Sequence, residues 1–304
     1  MQLLRQACVS RQRLILSMFA VILTSVLSVA FADPSVTSPF ELSGSEVRTI
    51  SSEKLGRSYD LYIKLPSGYH SNRNETTVYP VMYLNDGGYC WVTAVGITRA
   101  PFNHGGYEKA ILVGLSYAKG ENAVDSRTRD FTPTKISGAK RETGGAKDYL
   151  TFLKNEVIAF VETHYRADSD RRMLVGQSYG GLFGAYALIE EPGLFQDYIL
   201  TSSSLWHDNK VMFSLEQKAA ERGRALSGRV YLAVGETETP AIHGGRHDMV
   251  GQQGAFAKQL RSRGYENLIV KDEVLEEGTH LTTFPIGLTR ALRWMLPGDD
   301  IYGG

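Results

Sequence analysis

The sequence has little of what marks several protein classes. Its 304 residues hold two cysteines, too few for a disulfide framework or a cysteine-rich zinc site. The 33 Lys and Arg are balanced by 33 Asp and Glu, so the chain as a whole is not a basic nucleic-acid binder. It has no internal repeat and no collagen-like period. It is not depleted in apolar residues as disordered tails are: 42% are hydrophobic and 22% charged, near the globular average. The longest apolar run, about 16 residues from Leu14 to Val29, falls short of the roughly 20 that a membrane-spanning helix needs.

That run sits in a recognisable context. Arg5, Arg11 and Arg13 precede it, no acid does, and Ala30-Phe31-Ala32 closes it ahead of Asp33-Pro34. A basic start, a short apolar stretch and small residues at −3 and −1 predict a cleavable secretory signal over 1–32. No Cys follows the cleavage point, which argues against a lipid anchor. Its removal leaves 272 residues of net charge −3, with Cys90 the only thiol. Without an internal disulfide, stability must come from a core, and one large domain can supply it. The signal has a bacterial character, which places the mature chain in the periplasm without a stable membrane span. Residues 33–45, rich in Ser and Pro, are expected to be loose, and 46–304 to form a single domain.

Along that domain, strands and helices alternate. Strands are expected at Glu46–Ser52, Ser58–Leu65, Val78–Leu84, Ala110–Leu115, Arg172–Val175, Tyr198–Thr201, Val230–Val234 and Leu268–Val274. Helical spacing marks Ala146–Tyr165, Leu182–Ile189, Gly251–Arg263 and Leu281–Leu296. Short apolar strands between helices imply an α/β fold with a mainly parallel sheet covered on both faces. Residues 118–145 show no clear period and read as a long irregular loop, a common place for function.

Gly176-Gln177-Ser178-Tyr179-Gly180 fits G-x-S-x-G between a strand and a helix. Such a turn strains its central residue and lifts the hydroxyl above the sheet edge, and the flanking glycines prevent side-chain collision. Ser178 is therefore the candidate nucleophile. The amide of Tyr179, at the helix start, can face an oxyanion. A serine needs a base and the base needs an orienting acid, and this elbow delivers them in the order Ser, acid, His. His70, His104 and His164 precede the serine, while His207, His243 and His247 follow it. His280 lies after the strand Leu268–Val274 and before the last helix, the position for the base. The acid commonly lies three residues after the Gly that ends the preceding strand, which selects Glu238 after Gly235, with Glu236 as rival. The second oxyanion donor is expected from the turn Asn85-Asp86-Gly87-Gly88: the amide of Gly88, with Gly87 as alternative.

With these residues placed, the chain resembles the esterase D-like branch of the α/β-hydrolases over roughly 45–296. Within that branch it is most similar to the trilactone siderophore esterases, which cut enterobactin-type catecholate siderophores. Tyr79-Pro80-Val81-Met82-Tyr83-Leu84-Asn85-Asp86-Gly87 looks like the Y-P-V-x-Y-x-x-D-G segment. Arg127-Thr128-Arg129-Asp130-Phe131-Thr132-Pro133 looks like R-x-R-D-[FY]-T-P, and Ser202-Ser203-Ser204-Leu205-Trp206 like S-x-S-L-W. Leu281 follows His280 where many members have Gly. The resemblance implies an α/β-hydrolase fold, ester hydrolysis, no resident cofactor or metal, and a membrane siderophore transporter as a possible contact.

Charge gives an independent clue to the ester. Between 127 and 147 stand six basic and two acidic residues, a local excess of +4, to which His243, Arg246 and His247 add further on. Concentrated positive charge beside a cleft attracts anions, and a ferric tris-catecholate is strongly anionic. Arg127 and Arg129 are the expected contacts, with Trp206 and Tyr89 against its aromatic rings. A carbohydrate-ester hydrolase (feruloyl or acetyl esterase), an S-formylglutathione hydrolase-like esterase and a non-catalytic binder of an anionic ligand remain open as alternatives.

Overall fold

The computed structural model describes residues 40–242 and 247–299. The first 32 residues, His243 and Arg246 therefore lie outside the described residues. Among the described residues eight strands form one sheet, in the order β1-β2-β4-β3-β5-β6-β7-β8. They are β1 (Ser45–Ser52), β2 (Arg57–Lys64), β3 (Tyr79–Leu84), β4 (Ile111–Ala118), β5 (Ala167–Gln177), β6 (Asp197–Thr201), β7 (Gly228–Gly235) and β8 (Leu268–Leu275). β1 pairs antiparallel with β2, and β2 antiparallel with β4. All remaining pairs are parallel.

The helices explain why the central strands are apolar on both faces. They are α1 (Gly87–His104), α2 (Ala123–Phe131), α3 (146–164), α4 (Tyr179–Glu190), α5 (His207–Glu221), α6 (Met249–Ser262) and α7 (Thr283–Met295). α3 contains a π-helical stretch, Leu153–Ile158. Every residue of β3 and β6 is buried, as expected for parallel strands covered above and below. α4 buries ten of its twelve residues. Its Phe183 meets Tyr149 edge-on at 5.2 Å, and Phe131 meets the same ring at 5.4 Å. Each such fully buried ring contributes about 2–3 kcal/mol of apolar transfer. From Ser43 onward the chain packs as one compact unit. Among the described residues no helix is long and apolar enough to cross a membrane.

Three helices depart from the sequence expectation. α1 occupies what reads as a turn and connection after β3. Its Gly87, Gly88, Gly96 and Pro101 resemble loop punctuation, yet Cys90, Trp91, Ala94, Val95, Thr98 and Phe102 are buried at helical spacing. α2 lies inside the supposed irregular loop 118–145. The Asn122 side chain caps it, accepting from the amides of Val124 and Asp125, and the irregular residues shrink to the short turn 119–122 and 132–145. α5 begins with Asp208, Asn209 and Lys210 in left-handed conformations, and its buried face includes the charged Glu216, which breaks the apolar period.

The parallel pairing brings five strand ends to one edge. Leu84 on β3 registers with Val175 on β5, Gln177 with Thr201 on β6, Thr201 with Ala233 on β7, and Gly235 with Leu275 on β8. In open α/β sheets ligands bind outside this carboxyl edge.

Candidate active site

β5 ends at Gln177 and α4 begins at Tyr179, so Ser178 alone makes the turn. Its backbone sits at φ 59°, ψ −116°. A non-glycine residue in such a region costs roughly 1–3 kcal/mol and persists only where its surroundings hold it. Here the Ser178 amide donates to the Thr201 carbonyl at 2.9 Å, and its carbonyl accepts from Leu182 at 2.9 Å and Ser204 at 3.1 Å. The flanking glycines are sterically required: a Cβ on Gly176 would lie 2.1 Å from the Gly180 carbonyl oxygen. Gly176→Ala is therefore expected to cost more than about 2 kcal/mol and to remove labelling of Ser178 by a fluorophosphonate. Thermal unfolding and the labelling rate measure both.

His280 stands between β8 and α7, and its Nδ1 lies 2.6 Å from Glu238 Oε2. Glu238 is fully buried. Its Oε1 accepts from Ser202 Oγ at 2.5 Å, the Gly235 amide at 2.8 Å and Thr283 Oγ1 at 3.2 Å. Burial pushes the carboxyl upward, but the hydrogen bonds from His280, Ser202 and Gly235 outweigh it and hold Glu238 below the usual range. An ionised Glu238 fixes the proton on Nδ1, which leaves Nε2 free to accept. The Gln177 side chain donates to the His280 carbonyl at 2.7 Å, tying the histidine loop to the elbow. Glu236, the rival acid, is exposed and accepts instead from the Glu277 amide at 3.0 Å.

Two helix starts converge beside Ser178. Tyr179 opens α4, and Asp86, left-handed at φ 55°, precedes α1. First-turn amides have no acceptor within their own helix. In α1 the amides of Tyr89 and Cys90 both return to the Asp86 carbonyl at 2.8 Å, so the donors of Gly87 and Gly88 lead the helix. The two glycines differ in surroundings. A Cβ on Gly87 would lie 2.6 Å from the Leu115 carbonyl oxygen, so Gly87 lets α1 press on β4. Gly88 is exposed, between Asp86 and Tyr89, which both line the cleft.

That cleft, of about 220 Å³, is lined by Ser178 and His280 together with Asp86, Arg127 and Gln177. Tyr89, Tyr117 and Leu281 form its less polar side. Arg127 reaches it but does not present a bare charge. It grips Asp86 with both arms, Nε to Oδ1 at 2.7 Å and Nη2 to Oδ2 at 2.9 Å, and lies 5.3 Å from the Tyr179 ring centroid. Arg129, expected to face substrate, is elsewhere. It is buried within α2 and paired with Asp130 at 2.8 Å and Glu121 at 2.5 Å. Trp206 does not line the cleft either. It stacks on His247 at 4.1 Å and lies 5.8 Å from the Tyr179 ring. The local excess of +4 is likewise reduced, because Arg127, Arg129 and Arg141 are paired with Asp86, Glu121 and Asp125, all outside the counted stretch.

The sequence gives no role to several residues of this site: Asp86, Ser202, Ser204, Tyr117 and Thr283. Asp86 and the serines did stand inside the segments that carry the resemblance. Together the arrangement holds a hydroxyl on a strained elbow, an imidazole oriented by an ionised carboxylate, and two helix-start amides. Those are the parts of nucleophilic acyl transfer.

Comparison with known proteins agrees with that chemistry. Residues 52–284 match the family described as "Putative esterase". A curated relative, ferri-bacillibactin esterase BesA of Bacillus subtilis, is 30% identical over 287 residues, covering 86% of this chain and 92% of that protein. The crystal structure of the BES protein from Bacillus cereus superposes with a TM-score of 0.75 at 27% identity, covering 87% of this chain and 99% of that one. An IroE-like serine hydrolase from Shewanella oneidensis gives 0.70 at 27% identity, covering 82% and 79%. With the match running from the end of β1 into α7, over a sheet of α/β-hydrolase type, the chain belongs to this esterase family and is a carboxylic-ester hydrolase.

Proposed function

We propose that this protein is an exported serine esterase that opens the lactone bonds of a ferric catecholate siderophore such as enterobactin, aiding iron release. The observation that carries it is Ser178 and His280 lining one small cleft, with buried Glu238 behind the histidine, in a chain that spans most of a ferri-bacillibactin esterase. Tyr89, Tyr117 and Leu281 offer rings and an apolar edge to catechol groups, and Arg127 adds a paired cation. Iron arrives as part of the substrate.

In the reaction, His280 Nε2 takes the Ser178 proton as Oγ attacks the lactone carbonyl. The amides of Tyr179 and Gly88 hold the oxyanion. His280 returns the proton to the departing ring oxygen, which leaves as a hydroxyl still tethered to the acyl chain. A water, deprotonated by His280, then releases the linear acid and restores Ser178. Export to the periplasm rests on the basic and apolar pattern of residues 1–32.

The test compares ferric enterobactin, a feruloylated sugar and a short aryl ester, with products separated by chromatography. The siderophore is expected to be opened with kcat/KM at least about tenfold above the sugar ester, the scale of about 1.4 kcal/mol in transition-state binding. An intact siderophore beside a cleaved feruloyl sugar would make this a carbohydrate esterase instead.

A further inference from the structure

The end of β6 and its connection to α5 touch the candidate nucleophile at three points. Two are the backbone bonds that hold the strained turn, Ser178 N–H to Thr201 and Ser204 N–H to Ser178. The third reaches the reacting atom: Ser204 Oγ lies 3.2 Å from Ser178 Oγ. Ser204 is 1% exposed, and among the described residues its hydroxyl has no other hydrogen-bond partner. A backbone bond anchors the connection, with the Ser202 amide donating to the Ala233 carbonyl at 2.7 Å. The connection presses on the first turn of α4, where a Cβ on Gly181 would lie 2.4 Å from Ser203 Oγ. It also turns through Ser202 at φ 42°.

The two hydroxyls share a single hydrogen position between them. If Ser178 donates, its proton points away from His280 and the Ser204 proton is buried without an acceptor. If Ser204 donates, its proton rests on Ser178 Oγ and the Ser178 proton is free to point at His280. Buried donors left unmade are costly, so the second arrangement is favoured wherever His280 accepts. As the Ser178 proton leaves, Oγ gains negative charge, and a hydrogen bond to a charged acceptor is roughly twice as strong as a neutral one. After acylation Oγ is an ester oxygen and the bond weakens again. An interaction strongest at the transition state is the kind that raises kcat.

We propose that Ser204 is a further catalytic residue, whose hydroxyl donates to Ser178 Oγ, aims its proton at His280 and stabilises the charge gathering there during attack. Ser204 keeps its own proton throughout, and the proton transferred is that of Ser178. This rests on Ser178 as the nucleophile.

The test measures fluorophosphonate inactivation and p-nitrophenyl acetate hydrolysis for the wild type, Ser178→Ala, Ser204→Ala and Ser204→Cys. Ser204→Ala is expected to slow inactivation and kcat by about 10- to 100-fold, with KM within about twofold and Tm unchanged. Ser204→Cys, a weak donor of similar shape, should fall between alanine and the wild type. Ser204→Ala at wild-type rate, or Ser204→Cys no faster than Ser204→Ala, would overturn the proposal. A fall in Tm matching the lost activity would show packing instead. Neither probe contains a siderophore, so the outcome stands apart from the choice of natural ester. Labelling of Ser178→Ala at the wild-type rate would instead remove the elbow serine as nucleophile.

Discussion

Ser178→Ala is expected to lower kcat for every ester by about 10⁵-fold or more, because a member of a nucleophile–base unit cannot be replaced by the others. The fold should survive, since the backbone bonds to Thr201, Leu182 and Ser204 do not involve the side chain. The strain at φ 59° gives this position a second signature. Ser178→Gly and Ser178→Ala both lose the hydroxyl, but only glycine occupies that region without penalty. Ser178→Gly should therefore be about 1 kcal/mol or more the stabler of the two, about 2–4 °C in Tm for a domain of this size. Equal stability would mean that the turn is not strained in solution.

Glu238 offers the second large effect, and two substitutions divide its roles. Glu238→Gln keeps an oxygen for Ser202, the Gly235 amide and Thr283, but turns an amide N–H toward His280. Nδ1 must then accept, so its proton moves to Nε2 and the ring presents a donor to Ser178. Loss of kcat by about 10³- to 10⁴-fold is expected, with a modest loss of stability. Glu238→Ala leaves the buried donors of Ser202 and the Gly235 amide unpaired, each costing about 1–3 kcal/mol, while Thr283 keeps its 2.7 Å bond to the Thr279 carbonyl, so the variant should lose both activity and a few kcal/mol of stability. The pH dependence has a defined sign. A carboxyl held below its ordinary value of 4.5 contributes stability above that pH and loses it as pH falls through the lowered folded value. The stability gap between wild type and Glu238→Gln should therefore narrow below about pH 4.5. Denaturant unfolding at several pH values reads it. A gap that widens on acidification would mean that the carboxyl is not stabilised in its charged form.

How much of this was legible in the sequence depends on the range of the interactions. The strands could be read because each is a short apolar run bounded by turn residues, and the chain order placed Ser178, Glu238 and His280 at strand ends. The structure brings those three side chains to one edge. The spacing after Gly235 favours Glu238 but leaves Glu236 as a rival, because the burial and the donors from Ser202 and Thr283 that settle the choice come from separate segments. α1 was hidden although its buried residues follow helical spacing, because glycine and proline punctuate it. α2 was hidden for the opposite reason: it buries Arg129 and Asp130 as a pair, so its inward face does not look apolar. The same pairing misplaced Arg129. A charge count along one stretch cannot see Asp86, 41 residues upstream, which takes up the Arg127 charge. Trp206 reads as a cleft aromatic but is outside the cleft lining, against Tyr179 and His247.

The central claim is that Ser178 attacks a lactone of a catecholate siderophore, and the mass of the Ser178 peptide during turnover tests it most directly. Opening a ring expels no fragment, because the leaving oxygen stays tethered to the acyl chain. The enzyme, mixed with ferric enterobactin and quenched in acid, should therefore yield a Ser178 peptide heavier by the whole mass of the iron-free trilactone. The adduct should be missing in Ser178→Ala. Siderophore consumed at the wild-type rate by Ser178→Ala, or an adduct on another residue, would contradict the account.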